Sequence, residues 1–156
     1  MRWTRNVWPA TFWPFWGRRS PRQVAALPYR IEGDRLLILL VTSRRTRRWV
    51  IPKGNKPLGK TPHRAAAAEA EEEAGVQGTI GTVPLGSYRY RKHRANAPAR
   101  VIDVDVFPLA VDRQLPRWKE SRERERRWFS AAEAATLVGE RDLRALIRAF
   151  GASDPA

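Results

Sequence analysis

The chain has 156 residues, with 30 Lys and Arg against 16 Asp and Glu and a formal net charge of +14. That length suits one domain with a core of its own, and such a charge attracts polyanions: nucleic acid, nucleotides, inositol phosphates or anionic lipid. Cysteine is absent, which excludes disulfides, thiolate metal sites and a cysteine nucleophile and fits a reducing compartment. His63 and His93 are too few and too far apart for a zinc site built on imidazoles. No apolar run approaches the roughly 20 residues of a membrane-spanning helix, so a cytoplasmic location is expected.

Residues Met1 to Arg19 differ from the rest. They hold four of the seven tryptophans, with Pro9 and Pro14 among them. Pro and Arg interrupt any continuous apolar centre, which argues against a secretory signal. Two readings stand for this arm: an irregular segment without chemistry, or an interfacial anchor that sets Trp and Arg against a membrane surface or another protein. The expected organisation is an arm over 1–19, one domain over 20–152 and a tail over 153–156.

From Gln23 the pattern becomes regular. QVAALPYRI and RLLILLVTS are apolar, partly β-branched runs separated by the turn signal EGD. RWVIPKG adds a short strand, followed by a loop rich in Gly, Pro and Lys that runs to Lys60. TIGTVPLGSYRYRK and ARVIDVDVFPLAV predict further strands or strand pairs, and VIDVDVF alternates as a half-buried strand should. Two helices close the chain. Ser130 and Glu133 form a capping-box pattern, and Leu143, Leu146, Ile147 and Phe150 fall on one helical face. This order of elements predicts a mixed α/β sheet sandwiched between helices.

The stretch AAAAEAEEEAGV, from Ala65 to Val76, predicts a helix with legible ends. Thr61 suits the N-cap and Pro62 the first helical position, and Gly75 supplies the left-handed residue that stops it. Glu69, Glu72 and Glu73 stand at i, i+3 and i+4 and share a face, while Glu71 points elsewhere. Like charges in neighbouring turns repel, and a helix C-terminus disfavours anions. Spacing alone leaves two readings: an ordinary charged face, or oxygen ligands for a divalent cation such as Mg²⁺ or Mn²⁺.

Read from Gly54, GNKPLGKTPHRAAAAEAEEEAGV resembles the Nudix box G-x5-E-x7-R-E-U-x-E-E-x-G-U, where U is a bulky aliphatic residue. Gly54, Glu69, Glu72, Glu73, Gly75 and Val76 fall on their positions. Lys60, Ala68 and Ala70 stand where the family has Glu, Arg and an aliphatic residue. TSRRTRRWVIPKG, RKHRANAPARVIDVDVF and WKESRERERRWFSAAEA more loosely resemble the diphosphoinositol-polyphosphate phosphohydrolase branch. The resemblance implies a Nudix fold and hydrolysis of a pyrophosphate bond with Mg²⁺ or Mn²⁺. It implies Glu69, Glu72 and Glu73 as metal ligands, with the Gly54 carbonyl as a further one. Glu69 and Glu120 are the candidates for the base that accepts a proton from water.

The arginine-rich segments suit a polyphosphorylated substrate, because guanidinium forks match phosphate oxygens. Arg30, Ser43, Arg44, Arg48, Lys53 and Arg91 are the candidate substrate contacts, against a bland reading in which each arginine cluster is a solvated loop. Trp49 and Trp128 are expected in the core. Glu120, Glu123 and Glu125 are expected to form exposed pairs with neighbouring arginines. Two other functions remain: removal of pyrophosphate from an RNA 5′ end, and a Nudix-fold module that binds nucleotide or RNA without catalysis.

Overall fold

A computed structural model of the chain describes residues 21–153. The Trp-rich arm and the last three residues lie outside the described residues. Strands β1 (Arg22–Glu32) and β2 (Arg35–Thr42) pair antiparallel through the EGD turn, where Gly33 takes φ 64°. A side chain rarely adopts that conformation, which is the reason for glycine there. Two short strands follow, β3 (Trp49–Val50) on β2 and β4 (Lys53–Gly54) on β1. Helix α1 spans Pro62–Ala74. The remaining elements are β5 (Val76–Ile80), β6 (Gly86–Arg94), β7 (Ala97–Gln114), β8 (Arg126–Ser130), α2 (Ala131–Leu137) and α3 (Arg141–Ala152).

The strands make one mixed sheet with the main path β3-β2-β1-β7-β5. β4 joins β1, β6 joins β7 and β8 joins β2. β1 and β7 run parallel, and the other pairings are antiparallel. The sheet is flanked by helices and does not close into a barrel. Successive strand residues face opposite ways, so the continuous run LLILLV divides between two cores. Ile38 and Leu40 join Ala25, Leu27, Val104 and Val106 beneath α2 and α3. Leu39 and Val41 join Val24, Ala26, Phe107 and Leu109 beneath α1. The segment ARVIDVDVFPLAV belongs to a single 18-residue strand that β1, β5 and β6 all share.

α1 begins and ends where its sequence predicts, with Pro62 in the first turn and Gly75 at φ 64°, ψ 37°. Thr61 occupies the N-cap position, but its side chain makes no capping hydrogen bond. Ala66, Ala70 and Ala74, at i, i+4 and i+8, are fully buried against the sheet. Their small side chains let the helix lie close to β1 and β4, and that closeness positions the glutamates. In α2 the Ser130 hydroxyl accepts from the Glu133 N–H at 3.1 Å and donates to the Glu133 carboxylate at 3.1 Å. Arg144 donates to the carbonyls of Ala135 and Val138, meeting acceptors left over at the end of α2. Leu143, Ile147 and Phe150 are buried in α3, with Leu146 packed beside them.

Candidate active site

β4 and α1 meet through their smallest and largest relevant groups. A Cβ on Gly54 would lie 2.3 Å from the Glu69 carboxyl carbon, so only glycine lets that carboxylate lie against the strand. Glu69 makes no hydrogen bond or ion pair among the described residues. Burial, and then the charges of Glu72 and Glu120, push its carboxyl up from its ordinary value. One turn on, Glu73 is buried, with its two oxygens divided. One accepts the Lys53 backbone N–H at 3.2 Å, and the other accepts from Arg124 at 3.0 Å. Burial outweighs those favourable contacts, and the Glu73 carboxyl is pushed up to about 7. Glu72 stays largely exposed and meets Lys119 at 3.4 Å.

The segment between β7 and β8 closes over the end of α1. The last carbonyls of a helix have no partner within it, and here this segment and the first residue of β8 supply them. The Glu120 N–H donates to the Glu72 carbonyl, Trp118 Nε1 to the Glu73 carbonyl, and Arg126 to those of Ala74 and Gly75. The Leu115 N–H also donates to the Gly75 carbonyl. This docking carries Glu120 to the glutamate face of α1. There the Glu120 carboxylate accepts from Arg124 at 2.9 Å and meets Arg44 at 3.3 Å. The run RERERR is therefore not uniform. Glu123 and Glu125 are exposed as expected, but the Glu120–Arg124 pair is part-buried, with the Arg124 side chain only 7% exposed.

One cleft opens on Glu120, and another lies against Tyr90. The first, of about 960 Å³, is lined by Arg44, Arg117, Lys119, Glu120 and Arg122. The other, of about 730 Å³, is lined by Thr46, Arg48, Arg89, Tyr90, Arg91 and Glu140, among others. Lys53 sets its ammonium 4.9 Å over the Tyr90 ring that lines the second cleft, while its backbone N–H meets Glu73. Burial pushes that ammonium down from its ordinary value, against the opposing charges of Glu73 and Glu140. Tyr90 in turn donates to Gln23 at 2.7 Å, and Gln23 to Asn55 at 3.1 Å, tying β1, β6 and the loop after β4 together.

Of the sequence-derived candidates, Gly54, Glu69, Glu72, Glu73, Glu120, Arg44 and Lys53 gather around the end of α1. Arg48 and Arg91 line the second cleft, where Arg48 also meets Glu140 at 3.6 Å. Ser43 shapes the turn after β2, accepting the Arg48 N–H at 3.0 Å and bonding Thr46 at 2.8 Å. Arg30 is not brought to this site. It lies six residues along β1 from Val24, the partner of Gly54, a distance of about 20 Å at strand rise. There it pairs with Glu32 at 2.6 Å and covers the Trp128 ring. Arg89 is held by Asp103 at 2.9 Å. Trp49 and Trp128 are only part-buried, packed at the edges of the two cores. Arg124, Trp118 and Lys119 were not singled out by sequence, where nothing distinguishes them from other residues of a charged loop.

The oxygen donors Glu69, Glu72, Glu73, Glu120 and the Gly54 carbonyl have the chemistry of an Mg²⁺ or Mn²⁺ site. Burial pushes two of the carboxyls up, and a bound cation would offset the cost of ionising them there. Among the described residues, no group of three or more His, Asp or Glu side chains already converges on a metal-sized point. No helix among them is long and apolar enough to cross a membrane.

A helix end that carries a cluster of carboxylates lies on a helix-flanked mixed sheet, with arginine- and lysine-lined clefts nearby. The chain belongs to the Nudix family, since the NUDIX domain matches residues 19–150. It is 32% identical over 131 residues to Nudix hydrolase 21, chloroplastic, of Arabidopsis thaliana, covering 81% of this chain and 64% of that protein. It is 34% identical over 122 residues to diphosphoinositol polyphosphate phosphohydrolase 3-alpha of Mus musculus, covering 75% and 68%. Four plant relatives that it matches are longer proteins, of which the matched region spans 53% to 64%. Among solved structures, a C. elegans Ap4A hydrolase binary complex superposes with a TM-score of 0.63 at 20% identity, covering 85% of this chain and 96% of that one. Several branches match at similar identity, and none stands apart.

Proposed function

We propose that the chain is a divalent-cation-dependent hydrolase of a phosphoanhydride bond in a nucleoside or inositol polyphosphate. The observation that carries this reading is the assembly of Glu69, Glu72, Glu73 and Glu120 against Gly54, with Arg44 and Lys53 beside them and Arg48 and Arg91 in the adjoining cleft. Cationic clefts orient a polyphosphate, and carboxylates beside them would otherwise only repel it. Glu69, Glu72, Glu73 and the Gly54 carbonyl would hold Mg²⁺ or Mn²⁺. When bound, such ions offset charge on the phosphoryl oxygens and lower the pKa of bound water.

The chain's own groups then divide the work. Arg44, Arg48, Arg91 and Lys53 neutralise and orient the phosphates. Glu69 is the residue we assign as proton acceptor. Its carboxylate has no cationic partner among the described residues, which leaves its oxygens free to take a proton, and burial pushes it up from its ordinary value, which makes it more basic. Both Glu120 oxygens, by contrast, are committed to Arg124 and Arg44. The relatives' names support either an inositol or a dinucleoside substrate. A second reading, a binding module without hydrolysis, is favoured by one observation: Glu72, Glu73 and Glu120 each already contact a cationic side chain.

The deciding experiment is release of phosphate or nucleoside monophosphate from a panel of polyphosphates in Mg²⁺ or Mn²⁺, with Glu72→Gln as control. Cation-dependent release that Glu72→Gln abolishes is the expected result. Binding of the panel without release would establish the second reading.

A further inference from the structure

The region of α1 that bears the site's glutamates supplies no cation of its own. From Ala65 to Val76 the side chains are alanines and glutamates, closed by Gly75 and Val76. Lys53 and Arg44 supply part of the compensating charge and the segment before β8 supplies more, and one residue of that segment is placed unlike the others. Arg124 uses all three guanidinium nitrogens. Its Nε donates to Glu120 at 2.9 Å, one terminal nitrogen donates to Glu73 at 3.0 Å, and the other donates to the Thr42 carbonyl at 3.0 Å. The neighbouring residue fixes this arrangement. The Glu125 N–H donates to the Thr42 hydroxyl at 2.9 Å, and the Thr42 N–H donates back to the Glu125 carbonyl at 3.0 Å. The Arg124 side chain is 7% exposed, and those of Glu73 and Glu120 are 12% and 14% exposed.

We infer that Arg124 is a positioning residue. It locks the helix carboxylate Glu73 to the loop carboxylate Glu120, so that a divalent cation meets a Glu73 carboxylate already fixed in place rather than a free side chain. This rests on the metal-dependent reading above. The fork matters more than the charge. Three bonds at fixed angles, one anchored on the end of β2, hold two carboxylates from segments about 50 residues apart in one orientation. A lysine could reach one or two of these acceptors but could not fix the angle between them.

The geometric role and a merely electrostatic one predict opposite signs. Deleting a positive charge beside a cation site strengthens cation binding if charge alone matters. If orientation matters, binding weakens despite the lost repulsion. The test is Mn²⁺ affinity of the metal-free full chain, without substrate, by calorimetry or by loss of the free-ion paramagnetic resonance signal. Parent, Arg124→Gln and Arg124→Lys are compared, with folding checked by circular dichroism. Arg124→Gln is expected to weaken Mn²⁺ binding by about 10- to 100-fold, the range for groups that orient metal ligands. Arg124→Lys is expected to remain weakened although it keeps the charge, and it carries the test if the Gln variant does not fold. Unchanged or tighter binding in the folded variants overturns the inference alone. A parent that binds no Mn²⁺ overturns the metal reading and this inference with it.

Discussion

Glu73 makes the metal-free protein less stable as the pH rises through neutrality. Its carboxyl lies at about 7 in the folded chain against an ordinary 4.5. Between those values an unfolded Glu73 is ionised while the folded one still holds its proton. The folded state then binds more protons, so stability falls as pH increases. The contribution is fully present below 4.5 and is lost above 7. A displacement of that size corresponds to about 3 kcal/mol, a large fraction of the total stability of a small domain. Glu73→Gln has no proton to lose there, and its altered contacts with Arg124 and Lys53 add an offset that does not vary with pH. Urea denaturation in a chelator, for parent and variant from about pH 4.5 to about pH 8, isolates the term. The parent is expected to lose about 3 kcal/mol relative to the variant across that range. Saturating Mg²⁺ should restore the parent at the alkaline end by mass action, about 2.7 kcal/mol at one hundred times its dissociation constant. A parent–variant difference that stays flat to within about 0.5 kcal/mol would refute the claim that burial dominates at Glu73.

Three further outcomes follow from particular contacts. Gly54→Ala puts a methyl where the Glu69 carboxylate lies; the flexible carboxylate moves, so the melting temperature should hold while kcat falls by about 100-fold. Arg44→Ala, Arg48→Ala and Arg91→Ala should each lower kcat/KM by about 10- to 150-fold, the worth of a charge-assisted contact. Arg148, exposed on α3, is the control for loss of one charge, and equal losses there would reduce the clefts to generic attraction. Ser130→Ala removes the cap of α2 and should cost about 1 kcal/mol in chemical denaturation without altering KM.

What the sequence determined by itself was what short-range spacing can encode. Pro62 and Gly75 bound α1, and the register Glu69, Glu72, Glu73 places their carboxylates in two adjacent turns near its end. Ser130 and Glu133 open α2, and the apolar runs of β1 and β2 declare strands buried on both faces. The Gly54 spacing likewise held information, because a strand residue facing Glu69 must lack a side chain.

Only the tertiary structure decided which charges act together. RERERR offers four arginines of the same chemistry, yet Arg124 alone bridges Glu73 and Glu120, while Arg126 turns to the α1 carbonyls and stacks on Trp118. Arg30 looks equally suited to phosphate, but the sheet carries it about 20 Å along β1 from the strand residue that pairs with Gly54, and there it meets Glu32 and Trp128 instead. Helix and strand periodicities repeat within a few residues and so leave a local trace. The contact of Arg124 with Glu73 spans 51 residues, and its existence depends on how the segment before β8 docks on the last carbonyls of α1.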